Sequence, residues 1–145
     1  MQIRPMRPDD AERVALLCEQ LGYASSKEQV LRYHAGLAVD EDQTILVAEA
    51  PAGQVVGWVH VHGHHWLGGP SHARIAGLVV DQSHRGRGIG KALVQAAEAW
   101  ALERGYQEVV LNSNVVRERA HQFYRDLGYA VVKTQYQFRK GLAAR

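Results

Sequence analysis

One stretch of the sequence concentrates the features that hold an anion: Leu78-Val79-Val80-Asp81-Gln82-Ser83-His84-Arg85-Gly86-Arg87-Gly88-Ile89-Gly90-Lys91. An apolar, β-branched run enters a glycine-rich turn, and the turn opens directly into a helical pattern. Glycines, lacking Cβ, let backbone N–H groups converge, and a helix N-terminus adds about half a positive charge. Arg85, Arg87 and Lys91 add formal charge, and the combination suits a pyrophosphate. Two nucleotide-binding patterns do not fit. A dinucleotide fingerprint requires G-x-G-x-x-G, whose last glycine falls on Lys91 or Leu93. A P-loop requires G-x-x-x-x-G-K-[ST]; Gly90-Lys91 matches, but Arg85 replaces the first glycine and Ala92 the Mg²⁺-binding hydroxyl. On spacing alone, a turn that only reverses the chain is the plain alternative.

The second concentration is His60-Val61-His62-Gly63-His64-His65-Trp66. His60 and His62 share one face of a strand, with His64 and His65 in the loop after it. No Cys, Asp or Glu stands among them to complete a closed metal site, so no metal is expected. Cys18 has no glycine elbow or paired base around it and reads as a helix residue, not a nucleophile.

The elements that must carry these residues follow from periodicity. Residues 2–6 read as a strand. Pro8-Asp9-Asp10 caps a helix with Val14, Leu17, Cys18 and Leu21 on one face, ended by Gly22. A second helix covers 27–37. Residues 44–49 and 55–62 form a hairpin around Pro51-Ala52-Gly53, 63–72 is loop, and 73–80 is a strand. A helix over 91–104 stops at Gly105, 108–112 is a short strand, and 118–127 is a helix ended by Gly128. One or two closing strands are expected over 130–139. Three consecutive strands without helices argue against a doubly wound parallel sheet. The expectation is a mixed α/β (α+β) fold, its central sheet mostly antiparallel with helices on both faces.

Composition bounds the rest. The chain has 145 residues, 46% hydrophobic and 22% charged, which fits one domain over 1–145 and excludes a disordered chain. Net charge is +2, from 17 Lys+Arg against 15 Asp+Glu, too balanced to imply nucleic acid. No apolar run approaches the ~20 residues of a membrane span, and the N-terminus lacks the apolar segment of a secretion signal. A single cysteine fits a reducing cytoplasm.

The pattern R-x-x-G-x-G, carried by Arg85, Gly88 and Gly90 after a strand, resembles the acetyl-CoA signature of the GCN5-related N-acetyltransferase (GNAT) superfamily. The segment Arg117-Glu118-Arg119-Ala120-His121-Gln122-Phe123-Tyr124-Arg125-Asp126-Leu127-Gly128-Tyr129 is similar to that superfamily's helix with an A-x-x-F-Y-x-x-L-G-F/Y ending. The resemblance runs over nearly the whole chain. It implies direct acetyl transfer from the thioester to a primary amine of a small molecule or peptide, with acetyl-CoA as co-substrate and no metal. The strand backbone at Leu78, Val79 and Val80 would pair with the pantetheine arm. Arg85, Gly86, Arg87, Gly88, Ile89, Gly90 and Lys91 would hold the pyrophosphate.

Tyr124 stands where the family has a tyrosine near the thioester sulfur. A phenol at pKa ~10 and a thiol at ~8.5 make full proton transfer uphill by about 2 kcal/mol, so a hydrogen bond to sulfur is the better role. Many relatives carry a glutamate on a central strand to take the amine proton; Arg74 and Asn112 stand where it would be sought. His72, entering the strand before the turn, is then the candidate proton relay, since imidazole is the side chain that exchanges a proton near neutral pH. Tyr23, His62 and Trp66 would line the acceptor cleft. A homodimer is common among relatives. Transfer of a longer acyl group, or a non-catalytic acyl-CoA-binding module, are the alternatives.

Overall fold

The computed structural model describes residues 1–143. The chain divides into two compact parts, Met1–Asn112 and Ser113–Arg145. The first holds strands β1 (Gln2–Pro5), β2 (Gln43–Glu49), β3 (Val55–His64), β4 (His72–Val80) and β5 (Val109–Leu111), with helices α1 (Ala11–Leu21), α2 (Lys27–Leu37) and α3 (Ile89–Glu103). The second holds α4 (Glu118–Asp126).

The strands form one sheet in the order β1-β2-β3-β4-β5. The first three pairings are antiparallel, and β5 lies parallel to β4. A parallel neighbour cannot be reached by a tight turn, and α3 supplies the crossover. The expected mixed, mostly antiparallel sheet is therefore present.

Helices cover both faces. Val14 and Leu17 of α1 and Val30 of α2 pack with Val47, Trp58 and Val79 in one core. On the other face, a Cβ placed at Gly57 would lie 3.1 Å from Leu93 and 3.5 Å from Ile89, both on α3. The helix ends are local: Ser26 caps α2 in a reciprocal box with Gln29, and Gly22 closes α1 at φ 101. The start of α1 is fixed by charge. Asp10, 6% exposed, takes both terminal nitrogens of Arg4 at 2.8 and 3.0 Å and the Arg7 amide at 2.7 Å. Arg4 also donates to Glu49 at 2.6 Å, tying β1 to the end of β2.

Three expectations need correction. The hairpin is longer than its alternation implied: β3 runs to His64 and β4 starts at His72, so the loop shortens to 65–71. Helix α3 starts at Ile89, two residues early, because Gly88 takes the left-handed conformation that lets the turn enter the helix. The closing strands over 130–139 are absent; none of residues 130–143 is assigned to a strand. Val132, Tyr136 and Phe138 are 84%, 91% and 92% exposed, so their alternation meets no partner strand.

Candidate active site

Strand β4 carries an extra residue: His60 pairs with Gly77 and Val61 with Ile75, leaving Ala76 unpaired. Such a bulge bends a strand and re-aims the residues beyond it. On its other side β4 pairs with β5 only from Ala73 to Ile75. Among the described residues, the edge of β4 from Ala76 to Val80 has no strand partner. Leu78, Val79 and Val80 thus present backbone groups along an open edge.

The turn after β4 is anchored by Asp81, whose carboxylate accepts from Arg13 at 3.1 Å, Gln20 at 3.3 Å and the Ser83 amide at 3.3 Å. Burial pushes this carboxyl up, but those donors hold it below the usual carboxylate range. Gly86 (φ 78) and Gly88 (φ 80) are left-handed, and a Cβ at either would meet nothing within 4 Å. Glycine is required there by backbone conformation and not by crowding. The first intrahelical bond of α3 runs from Ala92 to Gly88, so the amides before it have no acceptor within the helix. Arg85, Arg87 and Lys91 are exposed and, among the described residues, reach no carboxylate. Arg85 places its Nε 3.3 Å from the Val80 carbonyl. Gly90 sits within the first turn of α3. Amides, helix terminus and free cations converge here, which suits a phosphate-bearing ligand such as coenzyme A.

The histidines fall on the opposite side of the same strands from α3. Register places His62 opposite Arg74, His64 opposite His72, and His60 opposite Gly77. His60 and His62 rings lie 5.8 Å apart, and His64 and His72 rings 4.9 Å apart. His62 donates Nδ1–H to the Gly63 carbonyl at 2.8 Å in the tautomer that this contact requires, which leaves its Nε2 as an acceptor. Beside it lies a cavity of about 270 Å³ lined by Tyr33, Asp40, Asp42, Gln43, His62 and Gly63. His72 Nε2 is 3.5 Å from an Arg74 nitrogen. Burial, and the neighbouring His62, push His60 down to about 4. Among the described residues no group of three metal ligands converges.

Tyr23, in the α1–α2 loop, and Trp66, in the β3–β4 loop, are 71% and 60% exposed. Trp66 lies against its own loop, where a Cβ at Gly68 would be 2.7 Å from the ring. No contact brings either to His62. In the second part of the chain, Tyr124 packs edge-on against Phe123 and Tyr129, with ring centres 5.1 and 5.9 Å away. Sequence reasoning missed the network around Asp42, which accepts from Tyr106 at 2.6 Å, His65 at 2.9 Å and Arg104 at 3.3 Å. Nothing in local spacing joins Asp42 to His65 or to the Arg104–Tyr106 pair, 23 and more than 60 residues away.

Comparison with known proteins agrees with this geometry. The Acetyltransferase (GNAT) family pattern matches residues 11–129. The chain is 30% identical over 148 residues to the aminoalkylphosphonate N-acetyltransferase of Salmonella typhimurium, spanning 97% of this chain and 91% of that protein. It is 28% identical over 144 residues to the aminoglycoside N(6')-acetyltransferase type 1 of Stenotrophomonas maltophilia, spanning 97% and 93%. Among solved structures, AAC(6')-Iy in complex with the bisubstrate analog CoA-S-monomethyl-acetylneamine superposes with a TM-score of 0.85 at 21% identity, covering 97% of this chain and 98% of that one. The chain belongs to the GNAT family of acetyltransferases. It is an N-acetyltransferase.

Proposed function

We propose that residues 1–145 act as one catalytic domain that acetylates a primary amine of a small molecule or peptide in the cytoplasm. The observation that carries this reading is the open edge of β4 running into two left-handed glycines at the start of α3. Leu78, Val79 and Val80 supply backbone partners for an amide-bearing arm. The amides of Gly86, Gly88, Ile89 and Gly90, with the side chains of Arg85, Arg87 and Lys91, neutralise a pyrophosphate. Acetyl-CoA supplies the activated acetyl group.

Tyr124 donates a hydrogen bond to the sulfur as charge develops there, a stabilisation of the departing thiolate. Burial raises its phenol above the ordinary value, with Arg117 opposing, and this favours donation over transfer. The attacking amine must be neutral. An α-amine at pKa ~7.7–8 supplies about a tenth of its molecules in that form at pH 7, and a lysine at ~10.4 far fewer. His72 relays the released proton, while Tyr23, His62 and Trp66 border the acceptor.

The aminoglycoside and aminoalkylphosphonate relatives act on very different amines, so a panel is the direct test. Free-thiol release from acetyl-CoA is measured against aminoglycosides, aminoalkylphosphonates, polyamines, amino acids and short peptides. Release with one class supports the transferase and identifies its acceptor. Absence of both thiol release and coenzyme A binding removes the assignment of the β4–α3 pocket. A homodimer belongs to the same proposal, and sedimentation velocity tests it.

A further inference from the structure

We propose that the amine acetylated by this enzyme also carries an anionic group, a phosphonate or a carboxylate, and that Arg74 binds it on the face shared by β3 and β4. The proposal rests on the acetyl-transfer reading and narrows its acceptor.

The Nε of Arg74 is buried and makes no hydrogen bond. The one polar contact of its guanidinium is a long one, 3.5 Å to His72 Nε2. Among the described residues no carboxylate comes within ion-pair distance of it. A half-buried guanidinium with an unused buried N–H is costly, and an incoming anion removes that cost. The residue opposite Arg74 is His62, and His64 and His72 form the next pair along. His64 is held below its usual range by burial and then by Arg74. This stretch of sheet therefore carries one fixed positive charge, that of Arg74, flanked by imidazole rings.

Two carboxylates line the cavity beside His62. Asp42 takes Tyr106, His65 and Arg104, and Asp40 takes the Gln43 side chain at 2.7 Å and the Asp42 amide at 3.0 Å. Asp42 is thus matched by a cation, whereas the donors to Asp40 are neutral and leave its charge in place. A guanidinium engages two oxygens of a phosphonate or carboxylate at once, which a single ammonium cannot. Holding the anionic end fixes which end of the acceptor is left for acetylation.

The experiment compares a short aminoalkylphosphonate, the aminoalkyl carboxylate and the aminoalcohol of the same length, and a polyamino sugar. Binding to the full chain with coenzyme A present is measured by calorimetry, and turnover by thiol release. The expected result is preference for an anionic amine, with Arg74→Gln raising its KM by about tenfold or more while KM for acetyl-CoA is unchanged. Arg74→Lys should recover part of the loss, and added salt should weaken binding in the native enzyme more than in Arg74→Gln. Thermal melts establish that each variant is folded; if Arg74→Gln is not, the Lys variant and the salt response decide. Equal use of the aminoalcohol or the polyamino sugar, or a folded variant with unchanged acceptor KM, overturns the anion site and leaves the transferase standing. Binding of an anionic amine that depends on Arg74, without thiol release from any amine, does the reverse.

Discussion

A buried phenol is a weak acid, and that decides what Tyr124 can contribute. Its phenol is pushed up by burial and only partly brought back by Arg117, so the protonated form persists to higher pH than for a free tyrosine. Tyr124→Phe should lower kcat by about 10²-fold while coenzyme A affinity by calorimetry stays the same. The alkaline limb of the native pH–rate profile assigned to this group should lie above ~10, since the protonated form is active and its pKa is raised. A limb below that value points to another group. Gly63 is a second residue where a side chain would displace its neighbours. A Cβ there would run into the Tyr106 hydroxyl and an Asp42 carboxylate oxygen. Gly63→Ala should therefore break the Asp42–Tyr106 contact and cost about 1–3 kcal/mol in urea unfolding. Side-chain type drew attention to the histidines of β3 and to the cations of the glycine-rich turn. That Arg74 has no carboxylate partner among the described residues was not legible, because partnership across strands is a matter of register.

At the level of elements, Gly57 shows how closely β3 and α3 approach. A Cβ there would meet the Val79 carbonyl at 2.9 Å and Leu93 at 3.1 Å. Backbone cannot yield as a side-chain tip does, so Gly57→Ala should destabilise by about 1–3 kcal/mol, read from the thermal midpoint. Gly88→Val acts differently. Its site is open, so the folded core is spared, but φ 80 is strained for a β-branched residue. The start of α3 should shift and acetyl-CoA KM should rise at least about tenfold, with little change in overall secondary structure by circular dichroism. Strands β2 to β4 were legible because apolar alternation and turn residues agree. The helix ends were legible because glycine follows each of α1 and α3. The closing strands were misread because propensity specifies an extended backbone and not a neighbour to pair with.

Across the whole chain, acid should remove stability in two stages. His60 is neutral when folded, its pKa pushed from an ordinary 6.5 down to about 4 by burial and by His62. The unfolded chain therefore binds the extra proton between those values, and stability falls as pH drops from 6.5 toward 4, by about 3 kcal/mol at most. Asp10, Asp42 and Asp81 act lower. Burial pushes each carboxyl up, but hydrogen bonds from Arg4, from Tyr106 and His65, and from Gln20, Ser83 and Arg13 more than offset it. Their contribution is full above the unfolded value of ~3.9 and is lost as pH falls through the depressed folded values. Urea midpoints from pH 7 to pH 3 should show both stages, and His60→Gln should flatten only the first. A native midpoint constant between 6.5 and 4.5 would exclude a neutral, buried His60. The mixed sheet was legible at this scale from element order alone, because three strands in succession leave few other arrangements.

The unpaired stretch of β4 has one more consequence, for handling the purified enzyme. An exposed strand edge is a template for any other strand, including one from a second molecule of the same protein. A coenzyme arm lying along that edge would occupy the groups through which molecules otherwise stick together. Colloidal stability should then track coenzyme A concentration: light scattering of concentrated protein should stay low with the coenzyme present and climb on dialysis, before any loss of secondary structure.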